Sequence, residues 1–228
     1  MGPKIAEKVL SQAQEIAAYL LWDIGAIRVN LDEPFKLVSG NYSPIYINCR
    51  QVISFPTFMG LFTAFARAIC EHRAVEIDAV AGGESAGIPF AAYVAQALSR
   101  PMIYVRKVKK EHGLASLIEG QVKEGNRVLL VEDLITDAGS KLHFIDAISA
   151  VGGVVNDVLV LFDRGQGGGE ALEKRGIRLH KVTDMDTAIT VAKEAGLVSD
   201  KDVESIRDYL SSPRAWHTKH HFPFNEVD

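Results

Sequence analysis

Cysteine is nearly missing from this chain: only Cys49 and Cys70 occur in 228 residues, with no CxxC spacing and no paired histidine motif beside them. That excludes a disulfide framework and a zinc site, and leaves two reduced, mostly buried thiols as the expectation. Long apolar runs are missing too. The stretch Met1–Leu21 interleaves Lys4, Glu7, Lys8 and Glu15 with its apolar residues, so it reads as neither a signal peptide nor a membrane span, and a cytoplasmic location is expected. There is no surplus of positive charge. The formal net charge is -4, so no overall field draws the chain to nucleic acid or to an anionic membrane. A chain of this balance that binds an anion must gather its cations locally, which makes any basic cluster informative.

What is present is an alternation. Ile5, Val9, Leu10, Ala13, Ile16, Ala17, Leu20 and Leu21 recur at spacings of three and four, predicting an amphipathic helix that ends near Gly25. Two short extended pieces follow, around Phe35–Val38 and Ile45–Asn48, separated by the turn-rich Ser39–Pro44. Pro56, a good first-turn residue, opens a helix to about His72. From residue 77 short apolar strands alternate with helices: Asp78–Ala81, Met102–Val105, Val128–Val131, Val155–Phe162 and Ile177–Val182, with a helix over Ser140–Val151 and two more after the last strand. Such alternation predicts an α/β fold with a central, mainly parallel sheet covered on both faces. Ligands of such sheets sit beyond the carboxyl ends of the strands, where every glycine-rich or basic loop of this chain falls. The tail from Trp216, with His217, His220 and His221, has no clear periodicity, and no linker or repeat divides the chain.

The loop Thr136-Asp137-Ala138-Gly139-Ser140 lies between a strand and a helix. Small side chains let backbone N–H groups converge on a phosphate, the helix start adds partial positive charge, and Thr136 and Ser140 add hydroxyls, with Ser140 suited to the N-cap. It is not a nucleotide P-loop, because no Gly-Lys-Ser/Thr follows. Before it, Glu132 and Asp133 end an apolar run, where buried charge is costly without partners. Ribose hydroxyls, or magnesium on a diphosphate, would supply them. A second cluster, Arg106-Lys107-Val108-Lys109-Lys110-Glu111-His112-Gly113, puts five cationic or potentially cationic groups into eight residues after a strand.

Four apolar residues, two acids, two apolar residues and then Thr-x-x-Gly-Ser resemble the signature of type I phosphoribosyltransferases. The resemblance implies that Glu132, Asp133, Leu134, Ile135, Thr136, Asp137, Ala138, Gly139 and Ser140 bind phosphoribosyl diphosphate, the loop on its 5-phosphate and the acids on its ribose. Asp137 stands where the family often has glycine or alanine. The basic stretch, closed by Glu119-Gly120, resembles the catalytic loop of orotate phosphoribosyltransferases. This implies that Arg106, Lys107, Lys110 and His112 act with Asp133 in catalysis, and that loop 106–119 is shared across a homodimer interface. Phe35-Lys36-Leu37-Val38-Ser39-Gly40-Asn41-Tyr42-Ser43-Pro44-Ile45-Tyr46-Ile47-Asn48-Cys49-Arg50 resembles the same family's base-binding segment, with Val38 where many members have lysine.

Gly82-Gly83-Glu84-Ser85-Ala86-Gly87 resembles the diphosphate loop, with Ala86 in place of a lysine found in some members. Asp163-Arg164 with Gln166-Gly167-Gly168 resembles the segment whose arginine grips the orotate carboxylate, a task suited to a planar guanidinium. What these resemblances imply together is a type I phosphoribosyltransferase fold in one domain over residues 1–228, with about 1–55 contributing a small N-terminal hood and 212–228 a tail. They also imply orotate binding by Thr136, Arg164, Tyr46 and Ile47, and Mg2+ as cofactor, carried mainly by the substrate with Asp133 as the candidate ligand. A purine-specific phosphoribosyltransferase would not need Arg164 or the 35–50 segment, and a non-catalytic regulator binding nucleic acid would need a basic face this acidic chain lacks.

Overall fold

A computed structural model describes residues 3–37, 39–108 and 117–226. The helix α1 (Pro3–Asp23) leads into a strand absent from the sequence expectation, β1 (Ile27–Val29). β2 (Phe35–Lys36) pairs antiparallel with β3 (Tyr42–Ser43), and β4 (Ile45–Ile47) pairs antiparallel with β1. A 3-10 turn over Cys49–Ser54 joins this small antiparallel region to α2 (Pro56–His72), which starts at the expected proline.

The main sheet uses β5 (Ala79–Gly83), β6 (Met102–Val105), β7 (Ile118–Glu119), β8 (Arg127–Ile135), β9 (Val154–Asp163) and β10 (Arg178–Asp184). Their spatial order is β10-β9-β8-β5-β6-β7, parallel throughout except that β7 runs against β6. Side chains alternate between two cores, as the period of a strand demands. Val80, Leu129, Val131, Leu159 and Leu161 pack with α1, α2, α3 (Gly87–Leu98) and α6 (Met185–Glu194). Ala81, Val128, Leu130, Val158 and Val160 pack with α4 (Gly139–Ser149) and with Leu172 of α5 (Gly168–Glu173). Leu130 is wholly buried, and cutting such a leucine to alanine destabilises a core by about 2–5 kcal/mol.

The chain passes from β5 to β6 on one side and then returns to lay β8 on the other side of β5. The helices after β5 and β8 leave for opposite faces, so their carboxyl ends open a crevice between them, the usual ligand position in such sheets. After β10 come three helices rather than two: α6, α7 (Asp200–Ser211) and α8 (Pro213–Lys219). The extra break is local chemistry. Ser212 caps α8 through its hydroxyl and Pro213 takes the first helical turn.

Candidate active site

β8 does not stop at Val131 but continues through Ile135, which pairs with Asp163 of β9. Glu132 and Asp133 therefore lie inside a strand, and its period sends them to opposite faces instead of side by side. Asp133 faces the N-terminal region, with Arg50 Nε 3.8 Å from its carboxylate. Burial raises the Asp133 pKa, with Lys141 and Arg50 opposing. Glu132 points beneath the glycine loop, where it accepts the Gly83 N–H at 2.8 Å and stands 3.5 Å from Lys141 Nζ. Burial outweighs Lys141 and holds the Glu132 pKa at about 7.

The glycines above that carboxylate are a matter of space. A Cβ on Gly83 would sit 2.0 Å from the Phe144 ring and 2.5 Å from Glu132 Oε1, and one on Gly87 would sit 2.2 Å from the same oxygen. Glu84 ties this loop to the basic segment, since its Oε2 accepts the Lys107 N–H at 2.9 Å. Arg106 lies at the root of the basic loop, its N–H on Leu117 O at 2.8 Å and its Nη1 3.5 Å from Glu119, while its Nε is buried without a hydrogen-bond partner. Lys107 is exposed. Lys110 and His112, the other two expected cationic groups, lie outside the described residues, as does Val38.

In the phosphate loop Ala138 takes φ 69°, and it, not Ser140, is the N-cap of α4. The helix starts one residue earlier than expected, so Ser140 stands inside the first turn, 3.4 Å from Lys141 Nζ. Asp137 does not point away from the loop. Its Oδ1 turns back to accept the Gly139 N–H at 2.9 Å, one of the donors a phosphate would use. Thr136 is half-buried. Leu134 and Ile135 pack into the two cores, leaving their backbone to meet a ligand.

Across the crevice, Arg164 is not paired with its neighbour Asp163, which is 3.4 Å from Lys181 and accepts the Gly165 N–H at 2.9 Å. The Arg164 Nε is buried without a partner, and so is Gln166 Oε1. Burial pushes the Arg164 pKa below the usual arginine range, with Tyr209 and Cys49 near enough to favour the charge. Cys49, itself pushed up by burial and by Asp133, lies near both Asp133 and Arg164. The N-terminal segment is thus folded over both. Of its two expected contacts, Tyr46 packs on Phe35 at 5.6 Å under the Arg28 guanidinium, while Ile47 turns to the core.

Arg50, Glu84 and Gln166 fell within matched segments but had no individual role from sequence, and Lys141 had none at all. Lys141 had a usable signal, a lysine directly after a phosphate loop that follows an acidic strand. The fit to magnesium is of a particular kind. Among the described residues no group of three or more His, Cys, Asp or Glu could cage a metal, while Asp133 offers a hard carboxylate at the crevice. That suits an ion that keeps its waters and is carried by substrate phosphates. No described helix is long and apolar enough to cross a membrane.

The phosphoribosyl transferase domain model matches residues 57–203. The chain is 45% identical over 204 residues to orotate phosphoribosyltransferase of Rhizobium johnstonii, with 89% of each chain covered. Among solved structures it is similar to orotate phosphoribosyltransferase from Aeropyrum pernix, at 32% identity and a TM-score of 0.68, over 80% of this chain and 99% of that one. It is also similar to UMP synthase of Leishmania donovani, at 26% identity and a TM-score of 0.75, over 87% of this chain but only 42% of that longer one.

Proposed function

Because the chain belongs to the phosphoribosyl transferase domain family and, within it, to the orotate phosphoribosyltransferases, we propose that it transfers the 5-phosphoribosyl group of phosphoribosyl diphosphate to orotate. The products are orotidine 5'-monophosphate and diphosphate, a step of pyrimidine nucleotide synthesis. The observation that carries the base assignment is Arg164, half-buried beside the crevice with a buried, unpartnered Nε. An orotate carboxylate matches its planar fork, and Gln166 Oε1 is free to accept a ring N–H.

Orotate is already an anion, so no strong general base is needed to make the nucleophile. The sugar passes through an oxocarbenium-like state while negative charge flows onto the departing diphosphate. Arg106, Lys107 and Lys110 gather that charge, with His112 as a further donor, and their contact strengthens as it develops. Loop 136–140 and the start of α4 hold the 5-phosphate, and Asp133 holds the ribose. Glu132 acts from beneath, fixing the Gly83 backbone that meets the diphosphate. Magnesium, when bound, would neutralise charge on the diphosphate, with Asp133 the residue that would help hold it.

Loop 106–119 closes over a neighbouring subunit's site in a homodimer, and closure excludes water from an activated sugar. A cytoplasmic location accords with the two free, buried thiols. The test is orotate consumption, followed spectrophotometrically with and without phosphoribosyl diphosphate and Mg2+, beside adenine, hypoxanthine and uracil. Turnover of orotate that requires both is expected; activity on a purine alone would overturn the assignment.

A further inference from the structure

The segment after α7 takes no part in the chemistry above, yet it holds some of the most buried side chains in the molecule. Trp216 is 1% exposed and His217 is 0%. Trp216 Nε1 donates to Ser205 Oγ at 2.9 Å and its ring meets Tyr209 edge to face at 5.5 Å, so α8 is anchored on α7. His217 faces the N-terminal region. Its Nδ1–H donates to Pro213 O at 2.6 Å, and its Nε2 accepts the Tyr42 N–H at 2.9 Å. Only the neutral ring protonated on Nδ1 satisfies both bonds.

Past α8 the chain runs along the loop between β2 and β3. Phe222 stacks on Tyr42 at 4.6 Å and on Trp216 at 5.8 Å. The Asn225 N–H donates to Asn41 Oδ1 at 2.7 Å, and Asn225 O accepts from Asn41 Nδ2 at 2.9 Å. Asn41 is 6% exposed, so both ends of a buried amide are satisfied by the tail backbone. Gly40, at φ 83°, is matched to this approach, because a Cβ there would lie 2.8 Å from Asn225 Nδ2. The gripped loop continues through β4 to Cys49 and Arg50, next to Asp133 and Arg164, and Tyr209 of α7, which packs on Trp216, also lies near Arg164.

We infer that residues 212–226 form a strap that positions the base side of the site, holding loop 39–43 and, through β4, the segment that closes over Asp133 and Arg164. The strap joins α7 to the N-terminal strands, with Trp216 on Tyr209 and with His217 and Phe222 on Tyr42. The inference rests on the reading that the 39–50 segment and Arg164 receive orotate.

The double variant Phe222→Ala with Asn225→Pro removes the stack and the N–H to Asn41, leaving Trp216 and His217 in place. Loss of a hydrogen bond and a ring contact predicts a rise of about five- to tenfold in the KM for orotate, with the KM for phosphoribosyl diphosphate changed less than about twofold. Amide hydrogen exchange over residues 39–48 should quicken in parallel. Phe222→Tyr with Asn225→Ala keeps the stack and the backbone bonds and should behave as wild type. Unchanged exchange over 39–48, or an equal rise in both KM values, would overturn the strap. A wild-type protein inactive on orotate would sink the base assignment instead, while the exchange measurement still decided whether the tail holds the loop.

Discussion

On the proposed reading the phosphate side of the site is built from loops at the ends of neighbouring strands of one sheet, β5, β6 and β8, whereas the base side is assembled from the N-terminal strands, the end of β9, α7 and the tail. The matched domain region, residues 57–203, contains the first and leaves out the N-terminal strands and the tail of the second. A phosphoribosyl group is common to every reaction of the family and can be served by short loops on a rigid sheet. The acceptor differs between members, and its receptor draws on parts of the chain outside the shared core.

If the two sides do separate jobs, variants on each should fail in different ways. Lys110→Ala is expected to lower kcat by about 10²- to 10³-fold with an unchanged Tm, because it removes a donor to developing charge. Arg164→Ala should instead raise the KM for orotate by about 10²-fold or more, the usual outcome of truncating one partner of a buried charge pair, while the KM for phosphoribosyl diphosphate barely moves. Initial-rate kinetics with each substrate varied would check both, and a shared pattern in the two variants would erase the distinction.

Smaller effects test the phosphate side alone. Unfolded Glu132 titrates near 4.5 and folded Glu132 near 7, so between those pH values the folded state keeps a proton that the unfolded state has released. That contribution to stability is present below about pH 4.5 and is lost as pH rises to about 7, by up to about 3 kcal/mol. Glu132→Gln should flatten this part of the Tm-against-pH curve; a variant curve parallel to wild type would show that the carboxyl is not held as described. Gly83→Ala must push against Phe144 and Glu132, and a loss of about 1–3 kcal/mol is expected in denaturant unfolding. Smallest of all, Asp137→Asn removes a charge from the phosphate loop, and the KM for phosphoribosyl diphosphate should fall by about two- to threefold, equivalent to a few tenths of a kcal/mol.

The contrast also explains what could be read from sequence. Pro56 announced α2 because proline suits a first helical turn, and the apolar run Met102–Val105 announced β6 because the pattern is local. Orotate was legible through Arg106, Arg164 and the 35–50 segment, each a match within a few residues. The divergence of Glu132 and Asp133 was not, because it depends on β8 running on to Ile135 against β9, and two acids after an apolar run look like a strand end. Asp137 bonding Gly139 depends on the αL turn at Ala138, a position where alanine gives no warning. The tail was opaque for a plainer reason: Trp216, His217 and Phe222 show no period because they pack on partners scattered from Tyr42 to Tyr209.

The pairing of Asn41 with Asn225 joins residues 184 apart in the sequence. During synthesis the loop 136–140 can fold as soon as its own strands have left the ribosome, but the strap cannot reach its loop until residues 212–226 have followed. Closing so long a loop is entropically slow and follows the packing of the sheet between its ends. The nascent protein therefore acquires a seat for the activated sugar before it acquires an ordered seat for the acceptor, and competence to choose a base comes after competence to hold the sugar.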